Sequence, residues 1–273
     1  MTRSRTHGPL AVPFAVAAVL LAALAAPAAA VAAHPLVSDD AGTLGAAVLQ
    51  VELTGAGGLE RSREAGVRLQ QDASLLAAAF SWGLHDDLDL VVGLPLAWSR
   101  RTAAGPETST VSGVGDVVLE AKWRFLEAGG FSLALKPALS LPTGDPALGL
   151  GTGRPCLGAA LLATQAIGPV SFHLNAAFAH DEFARTEDRQ GARADHWHAS
   201  AAIVAEATPG LQLVANLGAA TSTDRSDPTP PAFALAGLIY AVTGSLDLDC
   251  GVKVGLTDPE PGLVLLAGLA ARY

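Results

Sequence analysis

Three groups of side chains in this sequence have the types and spacing to do chemistry. His196 and His198 stand two apart, and His173 precedes them. On a strand, residues two apart share a face, so these imidazoles would gather where a transition metal such as zinc or copper is held. His198-Ala199-Ser200 places a base two residues from a hydroxyl, the beginning of a nucleophilic hydrolase site. The third group is ionic. Glu120, Lys122 and Arg124 alternate along one segment, Lys136 follows on the next, Asp247, Asp249 and Lys253 alternate on another, and Glu52 lies on the first.

The first two groups are incomplete as catalytic centres. His-x-His supplies two ligands, and nothing in the spacing fixes a third. Hydrolysis needs a third residue to orient the base and donors for the oxyanion, whereas Ser200 is followed by Ala201, Ala202 and Ile203. The expectation is therefore no enzyme and no cofactor. The ionic group has a different logic, because charges taken out of bulk water must pair or stay hydrated. Side chains that alternate with apolar neighbours suit the wall of a water-filled channel.

The elements that must position them are strands with two lanes. Between 88 and 98 the apolar lane is Leu88, Leu90, Val92, Leu94, Leu96 and Trp98. Between 114 and 126 it is Val117, Leu119, Ala121, Trp123 and Phe125, set against Asp116, Glu120, Lys122 and Arg124. The final strand alternates back from Tyr273 through Ala271, Leu269, Ala267 and Leu265. This period of two predicts twelve strands, over 46–56, 73–84, 88–98, 114–126, 131–141, 156–167, 170–179, 195–206, 211–220, 232–242, 246–256 and 262–273. Connections alternate between short turns such as His85-Asp86-Asp87, Gly168-Pro169 and Thr243-Gly244-Ser245, and long ones at 57–71, 99–113, 142–154, 182–193, 221–231 and 257–261. Trp98, Phe178, Trp197 and Phe233 fall beside the long connections. Phe80, Trp82, Trp123, Phe125, Phe131 and Tyr273 fall beside the short ones or the terminus.

Alternation, an even strand count, sorted loops and two aromatic girdles together predict an all-β fold. It is a twelve-stranded antiparallel transmembrane β-barrel over 46–273 with both termini periplasmic. In this register Glu52, Glu120, Lys122, Arg124, Lys136, His173, His196, His198, Asp247, Asp249 and Lys253 line the lumen. So do the small residues Ala134, Ala138, Ala160, Ala177, Ala202, Ala234, Ala236 and Gly251.

Residues 1–33 read as a cleaved signal peptide. Arg3 and Arg5 precede an apolar stretch, and Val31-Ala32-Ala33 is a cleavage pattern before His34. Residues 34–45 then form a periplasmic N-terminal segment. The leader holds two of the 17 basic and none of the 26 acidic residues, which leaves 15 against 26 and a net charge of −11. Such a balance excludes nucleic acid as a partner, which needs a basic face. After the leader no run of 18 apolar residues occurs, so a helical membrane protein is excluded. Cys156 and Cys250 are the two cysteines, and the sequence leaves open whether they are bridged.

Three segments carry a resemblance. His34-Pro35-Leu36-Val37-Ser38-Asp39-Asp40-Ala41-Gly42-Thr43 is one, and Gly113-Val114-Gly115-Asp116 with Leu119, Lys122, Arg124 and Phe125 is another. The third is Leu141-Pro142-Thr143-Gly144-Asp145. Together they resemble the outer-membrane family named for the meta-cleavage pathway of phenol degradation. The resemblance implies a bacterial outer-membrane location and passive uptake of small, hydrophobic or aromatic solutes. The expected partners are outer-membrane lipid, the barrel-assembly machinery through the strand ending in Tyr273, and a small-molecule solute. The alternative is a non-conducting barrel that presents its loops while residues 34–44 occlude the lumen. An outer-membrane lipid hydrolase stands behind both.

Overall fold

The computed structural model describes residues 34–64, 67–102 and 108–273. The expected signal peptide, residues 1–33, lies outside the described residues. The chain forms β1 (Leu49–Glu64), β2 (Val67–His85), β3 (Leu88–Thr102), β4 (Thr108–Val114), β5 (Val117–Ala128), β6 (Phe131–Leu141) and β7 (Cys156–Ile167). It continues with β8 (Val170–His180), β9 (Asp195–Thr208), β10 (Leu211–Ala220), β11 (Ala232–Thr243), β12 (Leu246–Gly255) and β13 (Val264–Arg272). Each strand pairs antiparallel with its chain neighbours, except that β4 and β5 do not pair with each other. β1 closes on β13, with Leu53 opposite Leu269 and Gln50 opposite Arg272.

β4 and β5 are one stave. β3 pairs with both, Leu96 opposite Val114 and Gly93 opposite Val118, and the break between them is Gly115-Asp116. The wall is therefore a closed barrel of twelve staves, and closure leaves no unpaired edge for lipid to meet.

The lanes separate as their alternation requires. Leu76, Leu157, Leu174, Trp197, Leu217 and Leu265 are 57–62 % exposed on the outside, a surface that lipid covers. The opposite lane is buried and holds Glu52, Glu120, Lys122, Lys136, His173 and His196. Trp123 and Phe125 meet at 5.7 Å between ring centres, and Phe178 and Trp197 at 4.7 Å.

Three expectations change. The connections at 57–71 and 99–113 are not plain loops. β1 and β2 stay paired to Glu64 opposite Val67, and β3 and β4 pair Thr102 with Thr108. Strands that rise beyond the apolar band need no apolar lane, so the alternation that marks a strand stops there while the ladder continues. On β11 the lanes are reversed. Phe233 and Leu235 are the buried residues, and Ala236 and Leu238 face out. Ala234 and Ala236 therefore do not line the lumen, and Phe233 belongs to the interior. The stretch Ala-Phe-Ala-Leu-Ala-Gly-Leu-Ile-Tyr is apolar in both lanes, so no contrast fixed its register.

Residues 34–44 run inside the barrel, reached from the end that carries the short turns. Ser38 and Ala41 are completely buried. At the opposite end the long connections interlock. Ala184 donates its N–H to the Thr152 carbonyl at 2.8 Å, and Arg193 and Arg225 exchange backbone bonds with Thr223 and Gly191. The helix α1 (Thr186–Gly191) rides on this layer.

Candidate functional site

Residues 34–44 have no strand ladder of their own, so their backbone groups need side-chain partners from the wall. Asn216 on β10 accepts from the Val37 and Ser38 amides at 2.7 and 2.9 Å and donates to the Ser38 hydroxyl. The Ser38 hydroxyl donates to Ser200 on β9 at 2.8 Å. Asn175 on β8 donates to the Asp39 carbonyl, and Thr164 on β7 accepts from the Ala41 amide. Asp89 on β3 accepts from the Leu44 amide. The segment thus crosses from β12 to β3, touching nearly every intervening stave.

Apolar contacts complete the seat. Leu36 is buried with Ala202, Val214, Phe233 and Leu235, a burial that contributes about 1.5–3 kcal/mol. Pro35 lies against Gly237 and Gly251. A Cβ at Gly237 would come within 2.8 Å of the proline ring, so those staves keep glycine where the segment passes. His34 bonds to the Asp249 carboxylate.

At the centre is an ionic cluster. Asp39 receives the Lys122 ammonium at 2.9 Å on one oxygen and the Lys136 ammonium at 3.0 Å on the other. Lys136 also reaches Glu120 at 3.0 Å. Burial alone would push the Asp39 pKa up, but the charges of Lys122 and Lys136 outweigh it and hold it lowered. The four groups sum to zero charge, the condition for keeping them out of water.

The structure distributes the sequence-predicted residues along the interior. Glu120, Lys122 and Lys136 come together, with Glu52 buried nearby and bonded to Gln50. Asp247 pairs with Arg272 at 2.8 Å and Asp249 with His34. Arg124 sits lower, donating to the Asp86 carbonyl and pairing with Glu127. Lys253 pairs with Glu260 at 2.6 Å and lies over the Phe233 ring.

The histidines do not converge. His173 bonds to Thr164 and stands opposite Ala202, six positions along β9 from His196. That is about 20 Å at the rise of a strand. His196 pairs instead with Asp181 at 2.9 Å. His198 is partly buried on the same lane. Among the described residues, no three or more His, Cys, Asp or Glu side chains form a group that could hold a metal ion. Both cysteines are free, Cys156 buried and Cys250 exposed on the outer face.

Sequence reasoning missed Asp39, Ser38, Asn175 and Asn216 as the residues that organise the site, and weighed Ser200 only as a nucleophile. Asn175 and Ser200 lay in the polar lanes, but only the seated segment gives them a role. The other two resembling segments make a joint at the far end. Asp116 accepts from the Gly144 and Thr152 amides at 2.8 and 2.9 Å, and the Thr143 hydroxyl accepts from the Val117 amide.

Between the segment and staves β1, β12 and β13 lies a cavity of about 620 Å³. Lys122, Lys136, Glu52 and Asp249 line it, and it reaches the β11–β12 turn at Thr243-Gly244.

A family model described as "Putative MetA-pathway of phenol degradation" matches residues 38–273. Among solved structures, the chain is similar to the COG4313 outer membrane channel from Pseudomonas putida F1. That match has a TM-score of 0.62 and 18% identity, and covers 85% of this chain and 97% of that one. It is also similar to the NanC porin, with a TM-score of 0.53, 10% identity, and 81% and 98% covered. The translocator domain of the autotransporter NalP from Neisseria meningitidis gives 0.52, 9% identity, and 82% and 88%. At these identities the likeness is one of fold, an outer-membrane barrel. No curated protein matches the chain.

Proposed function

The chain belongs to that phenol-degradation family, and from this premise we propose that it is an outer-membrane channel for passive uptake of small solutes. The observation that carries the reading is the contrast between an apolar outer face and a charged inner lane around a cavity of about 620 Å³. A pocket of that size holds a small organic molecule. The family's description, drawn from phenol degradation, suggests aromatic or other hydrophobic solutes. Glu52, Glu120, Lys122, Arg124, Lys136, His173, His196, His198, Asp247, Asp249 and Lys253 form the wall of the path.

On this reading residues 1–33 are removed after export, residues 34–45 begin on the periplasmic side, and the strand ending in Tyr273 is read by the assembly machinery. The protein performs no hydrolysis. The Ser200 hydroxyl accepts from Ser38 and helps to seat the inner segment, a structural use of that side chain. Lipase activity that disappears in Ser200→Ala would contradict this.

The seated residues 34–44 favour a second reading, a barrel kept shut. Solute uptake into proteoliposomes separates the two. The channel reading expects uptake of single-ring and short aliphatic compounds, faster in a Leu36→Ala, Asp39→Ala variant whose segment is unseated. If neither protein admits any test solute, the barrel is structural.

A further inference from the structure

We propose that Lys122 and Lys136 form a binding site for a small organic monocarboxylate, and that Asp39 occupies it as an internal competitor. Both ammoniums rise from neighbouring staves, β5 and β6, and converge on one carboxylate. Their side chains are only 11 % and 2 % exposed. The carboxylate they hold does not belong to the wall. It arrives on a segment held by side-chain hydrogen bonds, the His34–Asp249 pair and the small apolar seats of Pro35, Leu36 and Ala41, without a strand ladder, so it can leave while its partners cannot.

Charge accounting selects the ligand. With Asp39 seated, two ammoniums face the carboxylates of Asp39 and Glu120. When Asp39 leaves, Glu120 remains on Lys136 and Lys122 loses the carboxylate it was bonded to. A buried ammonium left without its bonded carboxylate is costly and draws in a replacement anion. Glu52 and Asp89 face the same cavity and repel a second negative charge, so the site takes a monoanion rather than a dianion. An uncharged solute of the same shape replaces nothing. The adjoining cavity receives the body of the acid.

Solute and segment therefore exclude each other: an arriving carboxylate unseats residues 34–44, and the seated segment lowers apparent affinity. The binding step stands apart from the channel reading. The consequence, a solute that opens its own path, rests on it.

Calorimetry on the purified full-length barrel tests the site, with benzoate and hexanoate as aromatic and aliphatic probes. Asp39→Ala is expected to bind one benzoate per barrel ~10-fold more tightly than the parent, because no competitor remains. Adding Lys122→Met to that variant is expected to abolish binding, phthalate to bind more weakly, and benzyl alcohol not at all. Asp39→Asn, which keeps the shape, serves if Asp39→Ala fails to give a barrel whose gel migration shifts on heating. In a Cys156→Ser, Cys250→Ser background, maleimide labelling of Leu36→Cys is expected to speed up several-fold with benzoate and not with benzyl alcohol. Absence of benzoate binding in the Asp39 variants, or binding that survives Lys122→Met, overturns the proposal. Uptake without any benzoate binding defeats the site and leaves the channel standing. Benzoate binding without uptake of any solute defeats the channel and leaves the site.

Discussion

Two buried aspartates, one at the end that carries the long connections and one midway along the lumen, do opposite jobs. Asp116 stands on the wall and is held by the Gly144 and Thr152 amides of the β6–β7 connection. Asp39 stands on the inner segment and is held by two ammoniums of the wall. Backbone amides are neutral donors fixed in one loop, and they fit only a carboxylate that the fold itself delivers. A Cβ at Gly151 would fall 2.2 Å from an Asp116 oxygen, so that cradle is closed by its own backbone. Ammoniums carry full charge and accept any carboxylate that reaches them. The outer joint is thus a permanent fastening, and the inner one is exchangeable in principle.

The largest expected effect lies at the inner cluster. Lys136→Met leaves the Asp39 carboxylate and that of Glu120 without their shared partner, a loss of about 3–5 kcal/mol for a broken buried pair. The strain falls on the part that can move, so the segment unseats. Single-channel recording is expected to show raised open probability with little change in urea resistance of the barrel. A barrel that instead loses its fold would make Lys136 a structural residue.

Next comes the strand that joins the two sites. β5 carries Asp116 just before it and Glu120 and Lys122 on its inner lane, with Leu119 pointing out. Leu119→Arg places a charge in lipid and is expected to cost about 2–4 kcal/mol near the midplane, reducing membrane insertion. Lys122→Leu, one lane away, is expected to insert normally. If the two outcomes were exchanged, the faces of β5 would be reversed.

Asp116→Ala ranks third. It orphans the Gly144 and Thr152 amides, at about 1–3 kcal/mol for unsatisfied buried donors. Limited proteolysis is expected to cut the 142–155 connection faster, while closure by residues 34–44 is unchanged. Raised conductance in this variant would couple the two sites and erase the distinction drawn between them.

What the sequence revealed follows the same division. The staves were legible because lipid and lumen demand opposite chemistry of alternate residues, and Leu119, Leu174 and Leu265 face outward accordingly. β11 was misread where both lanes are apolar, and the hairpin extensions where neither is. Residues 34–44 have no period to read. Their partners Asn175, Thr164, Ser200, Asn216 and Asp89 sit on five different strands, and only three-dimensional closure gathers them. The charges of Lys122 and Lys136 were visible in the sequence, but their common partner Asp39 was not.

The smallest expected effect is a null one that separates an ion-paired fastening from a titrating switch. The Asp39 pKa is lowered in the seated state, because Lys122 and Lys136 outweigh burial. A group with a depressed pKa contributes stability above its free value, here 3.8, and loses it as pH falls through the still lower seated value. Between about pH 8 and pH 5, Asp39 therefore gives no reason for closure to change. Lys122→Met removes one of the two opposing charges and leaves burial in place, which moves the seated pKa upward. In that variant the opening on acidification is expected at higher pH than in the parent. Conductance recorded across the pH range in both proteins checks the sign. If the parent opened near neutral pH and Lys122→Met did not alter the midpoint, a group other than Asp39 would control the seat.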